Sequence, residues 1–180
     1  MKGKIMICLV NLDKVGINKK VKNLYMNEFP KYERYPFWFL KYQSKKKNSD
    51  FYVIYDDNEY VGLLYLIYYK DIVYILYLAI NHSKQSKGYG SKILNQLSQT
   101  YRGKRLLLNI EKIDSTAYNW EQRIKRKKFY KKNDFTNTNF EITNKHVVYE
   151  ILFQGKEVYE NEYHRLFKSY LGSILYWFLS

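Results

Sequence analysis

The chain has 180 residues, 46% of them hydrophobic, and 31 Lys and Arg against 17 Asp and Glu give a formal net charge of +14. This length suits one domain with an ordinary core, and we expect a cytoplasmic protein. Its single cysteine excludes an intramolecular disulfide, and without a His/Cys cluster a structural zinc site is not expected. Cys8 stands in an apolar run, so we expect it to pack in the core.

The N-terminal third is predicted to form a strand and two helices. The apolar run Ile5–Val10 favours a first strand, because it ends without the cleavage pattern of a signal peptide. Apolar residues at helical spacing predict a helix over Asn18–Glu28, which Phe29-Pro30 ends because the residue before proline avoids helical backbone. A second, short helix is predicted over Phe37–Tyr42.

The rest of the chain alternates between strand and helix patterns. A meander of three antiparallel strands is predicted over Phe51–Tyr55, Tyr60–Tyr69 and Ile72–Ile80. The segments that follow are a helix, a strand, a basic helix and two strands, at Ser91–Tyr101, Leu106–Ile110, Thr116–Lys131, Phe135–Ile142 and Val147–Phe153. The expected fold class is α/β.

The most informative segment joins the Ile72–Ile80 strand to the following helix through a Gln-x-x-Gly-x-Gly loop, Gln85 to Gly90. Glycine permits positive φ and close approach to a ligand, and the first amides of a helix have no intrahelical partner. A strand, a glycine loop and a helix start therefore predict a pyrophosphate site. A Walker loop is excluded because Gly-Lys-Ser/Thr is absent, and the glycine order differs from a Rossmann fingerprint.

The loop resembles the acyl-CoA-binding signature of the GCN5-related N-acetyltransferase (GNAT) superfamily, and Gln85, Gly88 and Gly90 match it by position. The resemblance extends over about residues 4–153, and the element order is similar to that of the family. It implies the GNAT fold, a mixed, mostly antiparallel central sheet flanked by helices. It also implies an N-acetyltransferase domain over 1–153 with acetyl-CoA as co-substrate. It also implies a set of cofactor-binding residues on the strand end and the loop. These are Leu78, Ala79, Ile80, Gln85, Ser86, Lys87, Gly88, Tyr89, Gly90 and Ser91.

A second resemblance is to the family helix Asn-x-x-Ala-x-x-x-Tyr-x-x-x-Gly-Phe, found here over Ala117–Phe135. It implies that Tyr130 protonates the departing thiolate. Asn119 lies about one turn farther from Tyr130 than the family spacing, and Arg123 occupies the usual Asn position, so both are candidates to contact the pantetheine arm. Asp134 replaces the glycine, which is tolerable because Asp can adopt the left-handed helix cap.

The general base and the acceptor pocket have weaker signals. The resemblance places a glutamate of the histone-acetylating branch at Tyr74, so that mechanism does not carry over. Glu111, after the Leu106–Ile110 strand, is a candidate base or a surface charge. Glu33 and Arg34 are candidate acceptor-binding residues, or they pair locally. The expected acceptor is a primary amine on a small molecule or a peptide, attacked directly by its nitrogen, and no metal is implied.

Two rival functions remain open, a basic Tyr-rich RNA-binding module and an acyl-CoA-binding protein without activity. The tyrosines fall largely in strand-like runs such as Tyr60–Tyr77, which favours sheet packing over base stacking, so no nucleic-acid partner is expected. Residues 154–180 are expected to form a helical extension. Its apolar part, Leu166–Leu179, is shorter than the roughly 20 residues of a membrane span, so it is expected to pack on its own domain, at a homodimer contact or on a membrane surface.

Overall fold

The structure is a computed structural model that describes residues 6–144, 146–173 and 176. It divides into two compact units, the first formed by Met1–Ile67 and Ile75–Leu97, the second by Tyr68–Tyr74 and Ser98–Ser180. The strands are β1 (Ile7–Asn11), β2 (Ser49–Asp56), β3 (Glu59–Tyr69), β4 (Ile72–Ile80), β5 (Arg105–Glu111), β6 (Thr136–Asn144) and β7 (Val147–Gln154). The helices are α1 (Asn18–Glu28), α2 (Phe37–Gln43), α3 (Tyr89–Thr100), α4 (Trp120–Lys132) and α5 (Glu160–Leu171).

The strands form a seven-stranded sheet in the order β1-β2-β3-β4-β5-β7-β6, in which β3 and β4 run through both units. The β1–β2, β2–β3, β5–β7 and β6–β7 pairs are antiparallel. The β4–β5 pair is parallel and joins Ile72–Tyr74 to Arg105–Leu107. The predicted mixed, mostly antiparallel sheet with flanking helices is confirmed.

The first unit is built on the apolar centres of β2, β3 and β4. Asp57 and Asn58, both at positive φ, make the two-residue turn between β2 and β3. Helix α1 buries Val21, Leu24 and Tyr25, the i, i+3, i+4 face that its sequence predicts. The amphipathic α3 buries Ile93, Leu94 and Leu97 in the same way.

The second unit packs α5 on one part of the sheet. Tyr163 and Phe167 of α5 meet Tyr74 at ring-centroid distances of 6.1 and 5.1 Å. Arg105 at the start of β5 donates to Asp71 and Glu162 at 2.8 Å each, and so ties α5 to β5. Among the described residues, no helix is long and apolar enough to cross a membrane.

Two expectations need correction. Cys8 is exposed, because its side chain lies on the open face of β1, which is an edge strand among the described residues. The basic helix begins at Trp120 and not at Thr116, because the Asp114 carboxylate accepts hydrogen bonds from the Thr116 amide (2.9 Å) and hydroxyl (2.7 Å) and holds a turn there. Helix α5, Glu160–Leu171, contains the first residues of the expected apolar tail, and residues 174–175 and 177–180 lie outside the described residues.

Candidate functional site

The glycine loop follows β4 and is folded against its own backbone. Asn81 caps a short 3-10 turn at His82–Lys84, and its side chain accepts from the Ser83 amide. The Gln85 side-chain amide donates to the Ile80 carbonyl at 2.9 Å, so Gln85 fixes the loop to the end of the strand. Lys87 Nζ donates to the Ser83 carbonyl at 2.8 Å. These bonds preform the loop without a ligand.

The backbone of the loop turns at two residues with positive φ, Ser86 (61°) and Gly88 (85°). The Lys92 amide donates to the Gly88 carbonyl at 3.2 Å, so Gly88 precedes the first turn of α3. The amides of Tyr89, Gly90 and Ser91 therefore have no acceptor within the helix. No described heavy atom lies within 4 Å of where a Gly88 Cβ would project, so the space beside the loop is open. We call the segment Gln85–Ser91 the cradle, because unpaired amides at the start of a helix generally favour anions.

The side chain of Tyr89 anchors the start of α3 and points away from the open side of the loop. Its ring is buried, and its hydroxyl donates to Asp56 of β2 at 2.8 Å. The Met6 amide also donates to Asp56, at 2.7 Å, and these two bonds, the Met6 bond first, lower the pKa of Asp56 below its usual range. The start of α3 is thus fixed to the sheet by a charge-assisted hydrogen bond.

The strand end that precedes the loop has two different faces. Ala79 is buried, whereas Leu78 and Ile80 are half-exposed. The Ala79 carbonyl points at Gly62 of β3, where a Cβ would lie 2.1 Å from that oxygen. Only glycine fits at position 62, because the backbone of β4 approaches β3 closely at Ala79.

Tyr77, which the sequence analysis did not single out, holds the segment that contains Glu33 and Arg34. Its hydroxyl donates to the Glu33 carbonyl at 2.7 Å and accepts from the Tyr35 amide at 3.2 Å. The Tyr25 hydroxyl donates to the Tyr35 carbonyl at 2.8 Å. Burial raises the pKa of Tyr77 well above its usual value, so this hydroxyl stays a hydrogen-bond donor. Strand alternation, which puts Tyr77 on the inner face with Ala79, is the signal that could have identified it.

Arg34 is held by contacts to α1. Its Nη1 lies 2.9 Å from the Met26 carbonyl and 3.0 Å from the Met26 sulfur. Because the guanidinium is a fixed fork of donors, this attachment orients its remaining N–H groups. Glu33 is half-exposed, and its backbone is fixed by Tyr77.

In the second unit, the structure brings Glu111, Asn119 and Arg123 together. The Glu111 carboxylate is buried at the end of β5 and accepts from Asn119 Nδ2 (2.9 Å) and Arg123 Nη2 (3.2 Å). Arg123 Nε also donates to Asn119 Oδ1 at 2.9 Å, and Arg126 Nη1 lies 3.6 Å from Glu111. The Glu111 carboxylate oxygens are therefore occupied by donors from α4 and from the residue that precedes it.

Tyr130 lies near the C-terminal end of α4, between two aromatic neighbours. Its ring centroid is 5.1 Å from that of Phe129 and 5.7 Å from that of Phe135. Burial raises the pKa of Tyr130, partly opposed by the nearby Arg126 charge. Among the described residues, no group hydrogen-bonds its hydroxyl, which leaves the phenol proton available to another molecule.

Part of the sequence matches the model of a known protein family. A family model described as an acetyltransferase (GNAT) domain matches residues 47–137, just over half of the chain. This range includes the glycine loop and α4. No curated protein matches the sequence.

Similar solved structures share the fold at low identity. A Bacteroides thetaiotaomicron protein described as a GNAT-family acetyltransferase has a TM-score of 0.74 and 19% identity, over 96% of this chain and 98% of its own. A Bacillus subtilis acetyltransferase in complex with CoA has a TM-score of 0.58 and 14% identity, over 85% and 99%. An aminoglycoside 6′-N-acetyltransferase complexed with coenzyme A has a TM-score of 0.64 and 12% identity, over 83% and 96%.

Proposed function

The chain belongs to the GNAT family of N-acetyltransferases, whose co-substrate is acetyl-CoA, and we propose that it acetylates a primary amine by direct attack on the thioester. The observation that carries this proposal is the cradle at the start of α3. Its three open amides, at Tyr89, Gly90 and Ser91, suit the pyrophosphate of coenzyme A, and the absence of a Cβ at Gly88 lets that group approach the backbone.

The neighbouring residues are assigned roles by their geometry. Gln85 positions the loop through the Ile80 carbonyl, and Ser86 and Lys87 are exposed beside it. We assign the backbone of Leu78–Ile80 to the pantetheine arm, which would bind as an added strand, and its amides to polarisation of the thioester carbonyl. The half-exposed Leu78 and Ile80 support this assignment.

Tyr130 is proposed to protonate the departing thiolate, since its raised pKa keeps the phenol protonated. Asn119 and Arg123 are proposed to contact the pantetheine arm with donors that Glu111 does not use. For Glu111 we propose a positioning role, and not the general-base role that the sequence suggested. The reason is that Asn119 and Arg123 already donate to its buried carboxylate.

The acceptor is proposed to be an amine on a neutral or anionic molecule, bound near Glu33 and Arg34. Aminoglycosides are polycations, and a chain of net charge +14 repels them. Arg34 adds a further cation to the segment that Tyr77 holds. Glu33 can accept one ammonium group, but one carboxylate does not offset this field.

The test combines calorimetry with a thiol-release assay on the purified chain. Acetyl-CoA should bind with one site, and free CoA should appear faster when neutral or anionic amines are added. Binding without thiol release from any amine, together with no hydrolysis, would identify the chain as a non-catalytic acyl-CoA-binding protein. Absence of acetyl-CoA binding would overturn the cradle assignment.

A further inference from the structure

Helix α2 has one face in the core of its unit and one face open to solvent. Leu40, Gln43 and the following Ser44 are buried. Trp38 and Tyr42 lie on the opposite side of the helix and are 70% and 58% exposed. Because residues four apart are neighbours on a helix, these two rings form one apolar patch. Adjacent exposed rings, unlike single ones, indicate a surface that meets another molecule.

Lysine side chains lie beside this aromatic patch. The backbone keeps its helical turn past the end of α2, because Ser44 has helical angles and the Lys45 amide donates to the Tyr42 carbonyl at 3.3 Å. Lys45 comes three residues after Tyr42 and seven after Trp38, and so lies on the same side. Lys46 Nζ is 4.8 Å from the centroid of the Tyr42 ring, in a cation–π contact. Rings and cations therefore share one surface.

The charge of this region is almost entirely positive. Residues 31–47 contain six Lys and Arg and one acid, Glu33. Lys45, Lys46 and Lys47 are consecutive and exposed, and within the described part of the chain none of them has an ion-pair partner. We call these three lysines, together with Trp38 and Tyr42, the α2 surface. Its uncompensated charge calls for an anionic partner.

We propose that the α2 surface binds the face of a lipid bilayer that contains anionic lipid. Trp and Tyr have an apolar ring and one polar group, and this combination suits the boundary between acyl chains and headgroups. Lysines beside the rings meet the negative charge of the headgroups. Contact of this kind is made by side chains at the membrane surface and needs no helix that crosses it.

Other occupants fit the α2 surface less well. Single-stranded nucleic acid binds in grooves whose cations follow the backbone, whereas α2 presents the convex outer face of a short helix. One face of the Tyr42 ring is also covered by Lys46 and not open to a base. A second copy of this chain, related by a two-fold axis, would bring the same lysines against each other. A negatively charged plane avoids both conflicts.

The proposal is independent of acetyl transfer, and its test needs no acetyl-CoA. The full chain is sedimented with phosphatidylcholine vesicles that contain about one third phosphatidylserine, and with vesicles of phosphatidylcholine alone. Binding to the anionic vesicles should be the tighter, and should weaken as salt rises from about 50 to 200 mM. The lysine variant (K45Q, K46Q, K47Q) should lose about a hundredfold in affinity, roughly fivefold for each charge.

The two rings are tested separately from the lysines. The aromatic variant (W38A, Y42A) should bind at least about tenfold more weakly, and this loss should persist at high salt, because apolar insertion is not screened. W38F keeps an apolar ring and should bind within a few fold of the parent. Lipids brominated next to the headgroup should quench the tryptophan fluorescence of the parent and have much less effect on W38F.

Matched controls make the same kinds of change elsewhere. K19Q, K20Q and K22Q together remove three exposed lysines from α1, and Y118A with W120A removes two exposed rings outside α2. Both controls should bind anionic vesicles within about threefold of the parent. Circular dichroism should show every variant folded.

Three results would overturn the proposal directly. The parent does not sediment with anionic vesicles, the α1 control loses as much affinity as the lysine variant, or W38F is quenched as strongly as the parent. Binding to single-stranded RNA in place of vesicles, lost in the lysine and aromatic variants, would assign the surface to nucleic acid instead. A dimer in analytical ultracentrifugation that the aromatic variant abolishes would assign it to a second copy of the chain.

Discussion

At the residue scale, Gly88 tests the cradle, because the chain supplies a matched control. Gly88 and Gly103 have φ of 85° and 84°, and at neither would a Cβ come within 4 Å of another part of the described chain. Gly88→Ala and Gly103→Ala should therefore each cost about 1–2 kcal/mol of unfolding free energy from backbone strain. Only Gly88→Ala should weaken acetyl-CoA, by at least about tenfold in calorimetry, because its Cβ enters the ligand's space. Equal affinity in the two variants would contradict the assignment.

Tyr130 separates chemistry from binding. Tyr130→Phe keeps the ring between Phe129 and Phe135 and deletes one hydroxyl. Loss of a general acid costs about 10²–10⁴-fold in rate. We expect kcat to fall by that amount while the acetyl-CoA dissociation constant stays within a few fold. Unchanged kcat, with chemistry shown to limit turnover, would remove Tyr130 from the mechanism.

Gly62 tests how closely β3 and β4 pack at Ala79. A Cβ at Gly62 would lie 2.1 Å from the Ala79 carbonyl oxygen, so either β4 or β3 must move. Gly62→Ala should destabilise the protein by about 1–3 kcal/mol or more in urea unfolding, and should also weaken acetyl-CoA, because Ala79 belongs to the proposed pantetheine strand. Gly16→Ala is the control, since its Cβ would meet nothing within 4 Å among the residues that the structure describes. If Gly62→Ala unfolds like Gly16→Ala, the two strands are not packed as described.

At the element scale, α5 is fastened by the pair of carboxylates that flank Arg105. Hydrogen bonds from Arg105 lower the pKa of Asp71 and of Glu162 below their usual values. Carboxylates with depressed pKa values stabilise the fold above the unfolded pKa values, near 4, and this stabilisation is lost as the pH falls through the folded values. The unfolding free energy of the parent should thus decline from about pH 5 downwards.

Arg105→Gln isolates this effect. Its unfolding free energy should be lower than the parent's at pH 7, and it should fall less between pH 5 and 2.5, because its carboxylates titrate nearer to their unfolded values. Arg102→Gln removes one charge from an exposed position nearby and should keep the parent's pH profile. The same steepness in both variants would show that other carboxylates determine the acid sensitivity.

Helices and strands could be predicted where the residues that define them are close together in the sequence. The bounds of α1 were predicted because its apolar periodicity and Pro30 are local. The strand, the glycine loop and the helix start around Gln85–Gly90 were likewise predicted from a local pattern. The start of α4 was wrong, because the Asp114 turn competes with helix. The pairing of Lys127 with Glu150 joins residues far apart in sequence, so no local pattern reports it.

The site shows the same division. The family residues of the loop could be numbered from sequence, whereas the role of Tyr77 requires knowing that the segment around Glu33 passes over β4. Glu111 had the residue type and position of a base. Its burial beneath Asn119 and Arg123 appears only when β5 and α4 are assembled. The position of a short local motif can therefore be predicted from the sequence. The surroundings of a residue such as Glu111, which depend on other elements, cannot.

At the scale of the whole molecule, the net charge of +14 gives the protein a positive field at long range. Charged ligands are steered by this field, and salt screens it within a Debye length of about 10 Å at 0.1 M. The value of kcat/KM for an amine on an anionic carrier should therefore fall as ionic strength rises, whereas kcat/KM for a neutral carrier should change little.

An aminoglycoside serves as the cationic acceptor in the same experiment. Repulsion should make its kcat/KM the lowest of the three, and screening should raise it as salt is added. All three acceptors are measured at saturating acetyl-CoA, so that salt effects on the co-substrate cancel. A high kcat/KM for the aminoglycoside at low salt, falling as salt is added, would mean that carboxylates around the acceptor outweigh the net charge. The proposed neutral or anionic acceptor class would then be wrong.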